Sequence, residues 1–255
     1  MKVYDAPNIR NVALVGHGGS GKTSLASALL FDAGAVNRLG RVEEGTTVTD
    51  FDSDEVERRI SLQAASAFAE WKKAKINLID APGYNNFLSE ARAGLRVADA
   101  ALVVVDAVAG VEVQTEKVWE MAEEFSLPRL LVVHKMDREN ASFERTLERI
   151  QAAFGRAAVP VAAPIGEEKS FKGVIDLVSG KAQVYGDDTS GKFQTTDVPA
   201  AQEGAAKTWR EKLVEMVAES NEELMEEFFE KGTLNQEQLA KGLRKIGRAS
   251  CRERV

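Results

Sequence analysis

A glycine-rich run at residues 16–23, GHGGSGKT, limits the folds open to this chain more than any other segment, because it fits the pattern G-x-x-x-x-G-K-[ST]. The apolar run VALV at residues 12–15 predicts a buried strand before it, and leucines at helical spacing predict a helix after it, over residues 22–33. Backbone N–H groups in such a loop, at the positive end of a helix, bind phosphates. We expect Lys22 to reach the β- and γ-phosphates of a nucleotide and the Thr23 hydroxyl to bind Mg²⁺. The alternative is an ordinary strand-to-helix turn with a surface lysine.

A second motif, DAPG at residues 80–83, follows a predicted strand over residues 75–80. Ligands of open α/β sheets bind at the carboxyl ends of the strands, so Asp80 is placed to hold Mg²⁺, through water. Gly83 leaves its N–H free for a γ-phosphate, and glycine lets the backbone flip when that phosphate leaves. Taken alone, this tetrapeptide is a common turn. One strand after a phosphate loop, it indicates a nucleotide-sensing switch.

A third motif, HKMD at residues 134–137, follows a predicted strand over residues 130–133 and is similar to the N-K-x-D of GTP-binding proteins. A carboxylate at Asp137 can accept two parallel hydrogen bonds from N1–H and the 2-amino group of guanine. Adenine lacks that pair of donors, so a buried carboxylate would penalise it. The aliphatic part of Lys135 would cover the face of the base. The alternative is a polar turn after a strand.

Strands and helices alternate along the first 154 residues. This order predicts an α/β P-loop NTPase fold, a mostly parallel sheet with helices on both faces. Residues 61–71 remain open between a strand and a short helix, and residues 42–56, rich in Gly, Thr and Asp, are expected to form a mobile loop. The predicted strands cover residues 9–16, 75–80, 101–106 and 130–133, and the predicted helices cover 22–33, 87–98, 113–125 and 142–154.

The pattern changes after residue 154. Residues 159–165 and 171–185 read as strands, with glycine turns at Gly166, Gly173 and Gly180, and three acidic helices follow. We expect Gly232 to end the second helix and Asn235 to cap the third. The chain is thus divided into a P-loop core at residues 1–158 and a small α+β insert module at residues 159–244.

Charge and composition exclude some classes of protein. The chain has a net charge of −7 and a pI of about 5.2, which argues against coating nucleic acid through net charge. No apolar run reaches the ~18 residues of a membrane span, and the amino-terminal residues lack the apolar stretch of a secretory signal. The single cysteine, Cys251, cannot form an internal disulfide, which fits a reducing cytoplasm.

The last eleven residues, 245–255 (KIGRASCRERV), read as the translation of a sequencing adapter rather than native protein. A basic carboxyl-terminal tail is the alternative. We therefore expect the natural gene to continue beyond this point.

With its three motifs in order, the chain resembles the translational GTPases, and elongation factor G most closely, over residues 8–244. The insert at residues 159–244 resembles the module that elongation factor G carries within its GTPase domain and that simple GTPases lack. In that family the acidic helices of the insert face ribosomal stalk protein; a solvated amphipathic face is the alternative. The segments that support the resemblance are NIRN at 8–11, His17, ERRISL at 57–62, DAPG at 80–83, HKMDR at 134–138, PIG at 164–166 and FKGVIDL at 171–177.

The resemblance implies a GTP-binding translation factor in the cytoplasm that uses GTP/GDP and Mg²⁺ and hydrolyses GTP on the ribosome, near the stalk and the GTPase centre. It implies RNA contacts only through the ribosome and none with membranes. Catalytic roles would fall to Lys22, Gly83 and Tyr84, and metal ligation to Thr23, Ser61 and Asp80. The implied nucleotide-binding residues are His17, Gly18, Gly19, Ser20, Gly21, Lys22, Thr23, Ser24, Asp80, Gly83, His134, Lys135 and Asp137.

Five positions depart from the family pattern. The family's switch segment ends in Gly-Ile-Thr, where the threonine binds Mg²⁺, but residues 59–61 are Arg-Ile-Ser, so Ser61 keeps the hydroxyl and Arg59 loses the freedom of glycine. Gly19 stands where the family usually has aspartate, and His134 replaces asparagine. Tyr84 replaces the histidine that orients the attacking water. Because a phenol is a poor base near neutral pH, we expect slow or altered GTP hydrolysis.

The family completes its guanine pocket with a Ser-Ala loop after the insert, followed by the last strand and helix of the GTPase fold. This chain stops before them, so we expect an incomplete pocket, an exposed sheet edge and weak GTP binding. One alternative function is a GTP-dependent ribosome-binding regulatory module with little hydrolysis. The full protein could serve translocation, recycling or disassembly of ribosomes, or their protection. An ATPase is disfavoured, because Asp137 would lose its guanine partners.

Overall fold

The computed structural model describes residues 2–186 and 191–249 and divides the chain into two compact units, residues 1–134 and 135–255. The strands are β1 (Ile9–Val15), β2 (Ala65–Trp71), β3 (Ala74–Asp80), β4 (Ala100–Asp106), β5 (Arg129–His134), β6 (Ala162–Ile165), β7 (Gly173–Asp176), β8 (Lys181–Tyr185) and β9 (Phe193–Thr196). The helices are α1 (Lys22–Asp32), α2 (Ser53–Arg58), α3 (Leu88–Arg96), α4 (Val113–Glu124), α5 (Phe143–Phe154), α6 (Glu203–Glu219), α7 (Glu222–Lys231) and α8 (Gln236–Ala249).

The first unit contains a five-stranded sheet in the order β2-β3-β1-β4-β5. β1 pairs in parallel with β3 and β4, and β4 with β5, whereas β2 runs antiparallel to β3. The sequence prediction of a mostly parallel sheet is therefore confirmed, and residues 65–71, left open between strand and helix, form a strand. β5 lies at one edge of this sheet.

Alternating side chains of β1 build a core on each face of the sheet. Ala13 and Val15 are fully buried in one cluster with residues of α3 and α4, such as Leu95 and Val118. Leu14, also fully buried, packs in a second cluster against α1. Helices thus cover both faces, and the carboxyl ends of the parallel strands stay open for the loops that follow them.

The second unit contains an antiparallel sheet in the order β6-β7-β8-β9, together with the helices α5 to α8. Gly232 ends α7 with φ +70°, and the Asn235 side chain accepts a hydrogen bond from the Gln238 N–H, as the sequence predicted. The expected division at residues 158/159 falls inside this unit and stays a prediction. Of the suspected adapter segment, residues 250–255 with Cys251 lie outside the described residues.

Two sequence predictions of local structure are wrong, and one strand was missed. Residues 42–56 are not one loop, since they contain a 3-10 turn at Val42–Glu44 and the start of α2. The sequence signal for the start of α2 was Asp52 followed three residues later by Glu55. The Asp52 side chain accepts a hydrogen bond from the Asp54 N–H, and the Glu55 side chain accepts one from the Asp52 N–H. Gly173 lies in β7 rather than in a turn, and β9 was not predicted.

Within residues 2–186 and 191–249, none of the helices combines the length and the apolar character that crossing a membrane requires.

Candidate nucleotide site

The loop between β1 and α1 contains three glycines with positive φ, and at two of them, Gly16 and Gly21, a side chain would also clash. Gly16 has φ +145°, and a methyl group on it would come within 3.0 Å of the Val104 carbonyl oxygen. Gly21, with φ +101°, directly precedes α1, and Gly19, with φ +79°, is exposed. Gly19 therefore suits a left-handed backbone that aspartate would adopt only with strain.

Lys22 lies inside this loop, with its side chain folded back over it. Its residue exposure is only 6%, and Nζ donates hydrogen bonds to the carbonyl oxygens of Gly16 (3.2 Å) and His17 (2.8 Å). A buried ammonium group in the phosphate loop attracts anions strongly, because solvent screening is weak there. The geometry suits a phosphate chain bound by the loop.

The remaining loop side chains have different environments. His17 is 3% exposed, with Nδ1 3.3 Å from the Thr115 hydroxyl on α4. Ser20 is fully buried, and its Oγ has no hydrogen-bond partner among the described residues. Ser24, on the first turn of α1, is exposed. A buried hydroxyl without a partner is costly, which favours a ligand that would bind it.

Gly83 lies directly against the phosphate loop. A methyl group placed on Gly83 would stand 2.5 Å from the His17 carbonyl and closer still to Nζ of Lys22. The structure thus brings together two residues that sequence reasoning had assigned to the phosphates from separate motifs. Tyr84, the next residue, places its ring over Gly18, whose added methyl group would be 2.9 Å from the ring. The Tyr84 side chain is about half exposed.

Hydroxyl and carboxylate oxygens cluster beside the start of α1. Thr23 Oγ1 lies 3.1 Å from Ser61 Oγ, and Ser61 donates a hydrogen bond of 2.7 Å to Asp50 Oδ1. Thr49 donates one of 2.8 Å to Asp80 Oδ2. Thr23, Ser61 and Asp80, the three predicted metal ligands, are thus joined to two residues that sequence reasoning missed.

The chemistry of these oxygens fits Mg²⁺. Asp80 is 1% exposed, and its Oδ1 accepts no hydrogen bond from the described residues. Mg²⁺ prefers oxygen ligands and uses one or two carboxylates together with water and substrate phosphates. Over the described residues, no group of three or more His, Cys, Asp or Glu could hold a metal ion.

Burial raises the pKa of Asp80 from its ordinary value of 3.8 to about 6, and burial likewise raises the pKa of Asp50. Between pH 4 and pH 6 the folded chain therefore holds protons that the unfolded chain has lost, so its stability falls as pH rises through this window. For Asp80 the loss is on the order of 3 kcal/mol, at about 1.4 kcal/mol for each pH unit.

We predict that Asp80→Asn removes most of the fall in folding stability as pH rises. Urea denaturation without Mg²⁺ or nucleotide should show the wild type losing on the order of 3 kcal/mol relative to the variant between pH 4 and pH 7. Parallel pH profiles for the two proteins would contradict the assignment of the buried charge to Asp80.

The segment that carries Ser61 is fixed by two carboxylates. Glu55, 3% exposed, accepts hydrogen bonds from the backbone N–H groups of Leu62 (2.8 Å) and Gln63 (3.1 Å). Glu90 accepts one from the Ala64 N–H at 3.2 Å. Arg59 has φ +57°, a left-handed conformation that glycine would adopt at less cost. The departure from glycine at this position therefore carries strain.

The third motif lies at the end of β5. His134, the last residue of the strand, packs against the phosphate loop, since a methyl group on Gly21 would come within 3.0 Å of its ring. Lys135 opens the second unit with φ +62°, Met136 is buried and Asp137 is exposed. The Asp137 carboxylate is thus exposed, not buried as the sequence-based case against adenine assumed, and it is available to a ligand.

Comparison with known proteins identifies the family. The model of the "Elongation factor Tu GTP binding domain" matches residues 7–240. A solved crystal structure of a protein from Thermus thermophilus is similar to this chain at 38% sequence identity and a TM-score of 0.87. The similarity covers 95% of this chain and 36% of the Thermus chain, so this chain spans about a third of that protein's length. The chain belongs to the elongation factor Tu GTP-binding-domain family, the translational GTPases, and is a guanine-nucleotide-binding P-loop domain.

Proposed function

We propose that this chain is the GTP-binding part of an elongation factor G-like translation factor that hydrolyses GTP on the ribosome, in the cytoplasm. The observation that supports it best is the packing of Gly83 against Lys22 and the His17 carbonyl. Gly83 lies beside the buried ammonium group, which suits a residue that senses the γ-phosphate of GTP. In this family, hydrolysis depends on positioned donors and charge rather than on covalent chemistry.

The site residues have the following proposed roles. Lys22 neutralises charge that develops on the phosphates, and the Gly83 N–H senses the γ-phosphate. Thr23, Ser61 and Asp80 would hold Mg²⁺, which supplies charge compensation at the β- and γ-phosphates when bound. Asp137 selects guanine, with Lys135 over the base and His134 beside Gly21. Helix α7, with five glutamates and one lysine, would offer an acidic surface for ribosomal stalk protein.

We propose that Tyr84 limits the rate of GTP hydrolysis. Its ring lies over Gly18 at the phosphate loop, where an imidazole in the same position could accept a hydrogen bond from water more readily. We expect Tyr84→His to speed single-turnover GTP hydrolysis on ribosomes by about tenfold or more, within the range of general-base effects. Phosphate release should be measured for the full-length protein and for its Tyr84→His variant, with GTP and with ATP, and with and without ribosomes.

The outcomes separate the candidate functions. Turnover of GTP but not ATP, stimulated by ribosomes, supports the proposal. Equal rates for wild type and Tyr84→His would remove the role of Tyr84. Ribosome binding that depends on GTP without any phosphate release would replace hydrolysis by a ligand switch.

A further inference from the structure

The turn that carries Asp137 is held by a second turn that comes about thirty residues later in the chain. We infer that Glu168 is a positioning residue for the Asp137 carboxylate, and thereby for the choice of guanine; this inference rests on the proposed function. Nothing in the motif at residues 134–137 points to this glutamate. The contacts that support it all lie within the second unit.

Glu168 holds the Asp137 turn on both sides. Its backbone N–H donates a hydrogen bond of 2.8 Å to the Met136 carbonyl oxygen, directly before Asp137. Its side-chain Oε1 accepts one of 2.7 Å from the Asn140 N–H, three residues after Asp137. One residue thus fixes the entry and the exit of the turn. A hydrogen bond to a carboxylate is stronger than one between neutral groups.

Glu167 extends the contact to the next helix. Its Oε1 accepts a hydrogen bond of 2.6 Å from the Phe143 N–H, the first residue of α5. The Phe143 ring also meets the Trp209 ring of α6 edge to face, with 5.6 Å between centroids. The start of α5, which follows the Asp137 turn, is therefore fixed from two directions.

The turn that supplies both glutamates is itself closely hydrogen-bonded. Glu167 N–H donates to Ser170 Oγ (3.2 Å), and Ser170 Oγ–H donates to the Glu167 carbonyl (2.6 Å). Gly166 has φ +78° and lies so close to the Ser170 carbonyl that no methyl group would fit. The Lys172 N–H bonds to the Ile165 carbonyl at 2.9 Å, which ties the turn to β6 and β7. Because its own conformation is fixed by these contacts, this turn can hold the Asp137 turn in place.

Backbone strain is concentrated at the same place. Seven non-glycine residues of the described chain have positive φ, and three of them are Lys135 (+62°), Asn140 (+65°) and Glu168 (+54°). Such residues keep their conformation only where surrounding contacts determine it, and they are frequent at ligand sites. The Glu168 hydrogen bonds are contacts of that kind. The turn between β6 and β7 therefore orders the turn that carries Asp137.

The test compares Glu168→Ala, which removes the acceptor for the Asn140 N–H, with Glu168→Gln, which keeps an amide oxygen there. Lys169→Ala, an exposed neighbour in the same turn, is the matched control. Competition binding should be measured with GDP, with inosine diphosphate, which lacks the 2-amino group, and with ADP. Amide hydrogen exchange at Asn140 provides a readout that needs no nucleotide.

We expect Glu168→Ala to lower GDP affinity by about tenfold and to leave ADP affinity within about twofold. The preference for GDP over inosine diphosphate should shrink, and Asn140 should exchange faster. Glu168→Gln should restore most of the preference, and Lys169→Ala should match the wild type. In an Asp137→Ala background, adding Glu168→Ala should change GDP affinity less than about twofold, because the first substitution already removes the contact.

Two results would overturn the inference: an unchanged preference for GDP in Glu168→Ala, or equal losses for GDP and ADP. A wild type that does not distinguish GDP from ADP would instead reject the proposed function, and the role of Asp137 with it. In that case faster exchange at Asn140 would leave Glu168 as a purely structural contact.

Discussion

Lys22→Ala is expected to weaken the binding of GTP and GDP by about 100-fold or more, a loss within the range found when one partner of a buried, hydrogen-bonded charge pair is removed. The ammonium group is buried, and peptide carbonyls already hold it in the phosphate loop. When a phosphate chain binds there, the new ion pair forms in a poorly screened site, where it is worth far more than at the surface. Alanine would leave the Gly16 and His17 carbonyls without this donor as well.

The measurement is titration with GTP, GDP and guanosine, with Lys241→Ala as the control. Lys241 is largely exposed and pairs with Glu223 at 3.5 Å, so its loss should leave all three affinities unchanged. Guanosine lacks phosphates, and its affinity should fall little in Lys22→Ala. Equal losses for GTP and guanosine would show that the substitution damages the fold, and unchanged GTP affinity would remove Lys22 from the phosphate site.

The phosphate loop could be predicted from the sequence because its determinants are local. Glycines that require positive φ, a buried strand before them and a helix after them are all encoded within about twenty residues. The same holds for Asp80 and Gly83, which follow a strand whose place in the sheet is set by its apolar residues. Parallel strands bring their carboxyl ends to one edge, so motifs far apart in sequence converge there.

The residues that sequence reasoning missed depend on distant contacts. Thr49 and Asp50 lie in a segment of weak periodicity, and only the folded chain shows them bonded to Asp80 and Ser61. Glu55 belongs to a local pattern, D-x-x-E from Asp52, that predicts the start of a helix. That pattern does not predict the hydrogen bonds that Glu55 accepts from the Leu62 and Gln63 N–H groups.

The role of Glu168 is even harder to predict from the sequence. Its partners Met136 and Asn140 are about thirty residues away, and no hydrophobic period links them. The sequence marked the neighbouring segment at residues 164–166 as the end of a strand with a glycine turn and as part of a family resemblance, and neither sign points to Glu168. Contacts between two turns are set by where the sheet and helices place them, and single-sequence patterns do not encode that placement.

Gly83→Ala is expected to slow GTP hydrolysis on ribosomes by about 100-fold, the scale seen when one oriented backbone donor is lost. The added methyl group would overlap the His17 carbonyl and Lys22 Nζ. The lysine end can shift, but the carbonyl belongs to the phosphate loop, so Gly83 itself must move away. Its N–H would then no longer reach the γ-phosphate, whereas GDP, which lacks that phosphate, should bind within about tenfold of wild type.

Gly204→Ala is the matched control, because Gly204 lies in α6 and an added methyl group there meets no atom within 4 Å. This variant should keep the wild-type hydrolysis rate and gain up to about 1 kcal/mol of stability from the helix preference of alanine.

Single-turnover hydrolysis and GDP titration on both variants separate the possibilities. Wild-type hydrolysis by Gly83→Ala would show that the switch does not use this close approach. A loss of GDP affinity as large as the loss of hydrolysis would mean that the methyl group acts by displacing Lys22, and the Gly83 N–H would lose its role as the γ-phosphate sensor.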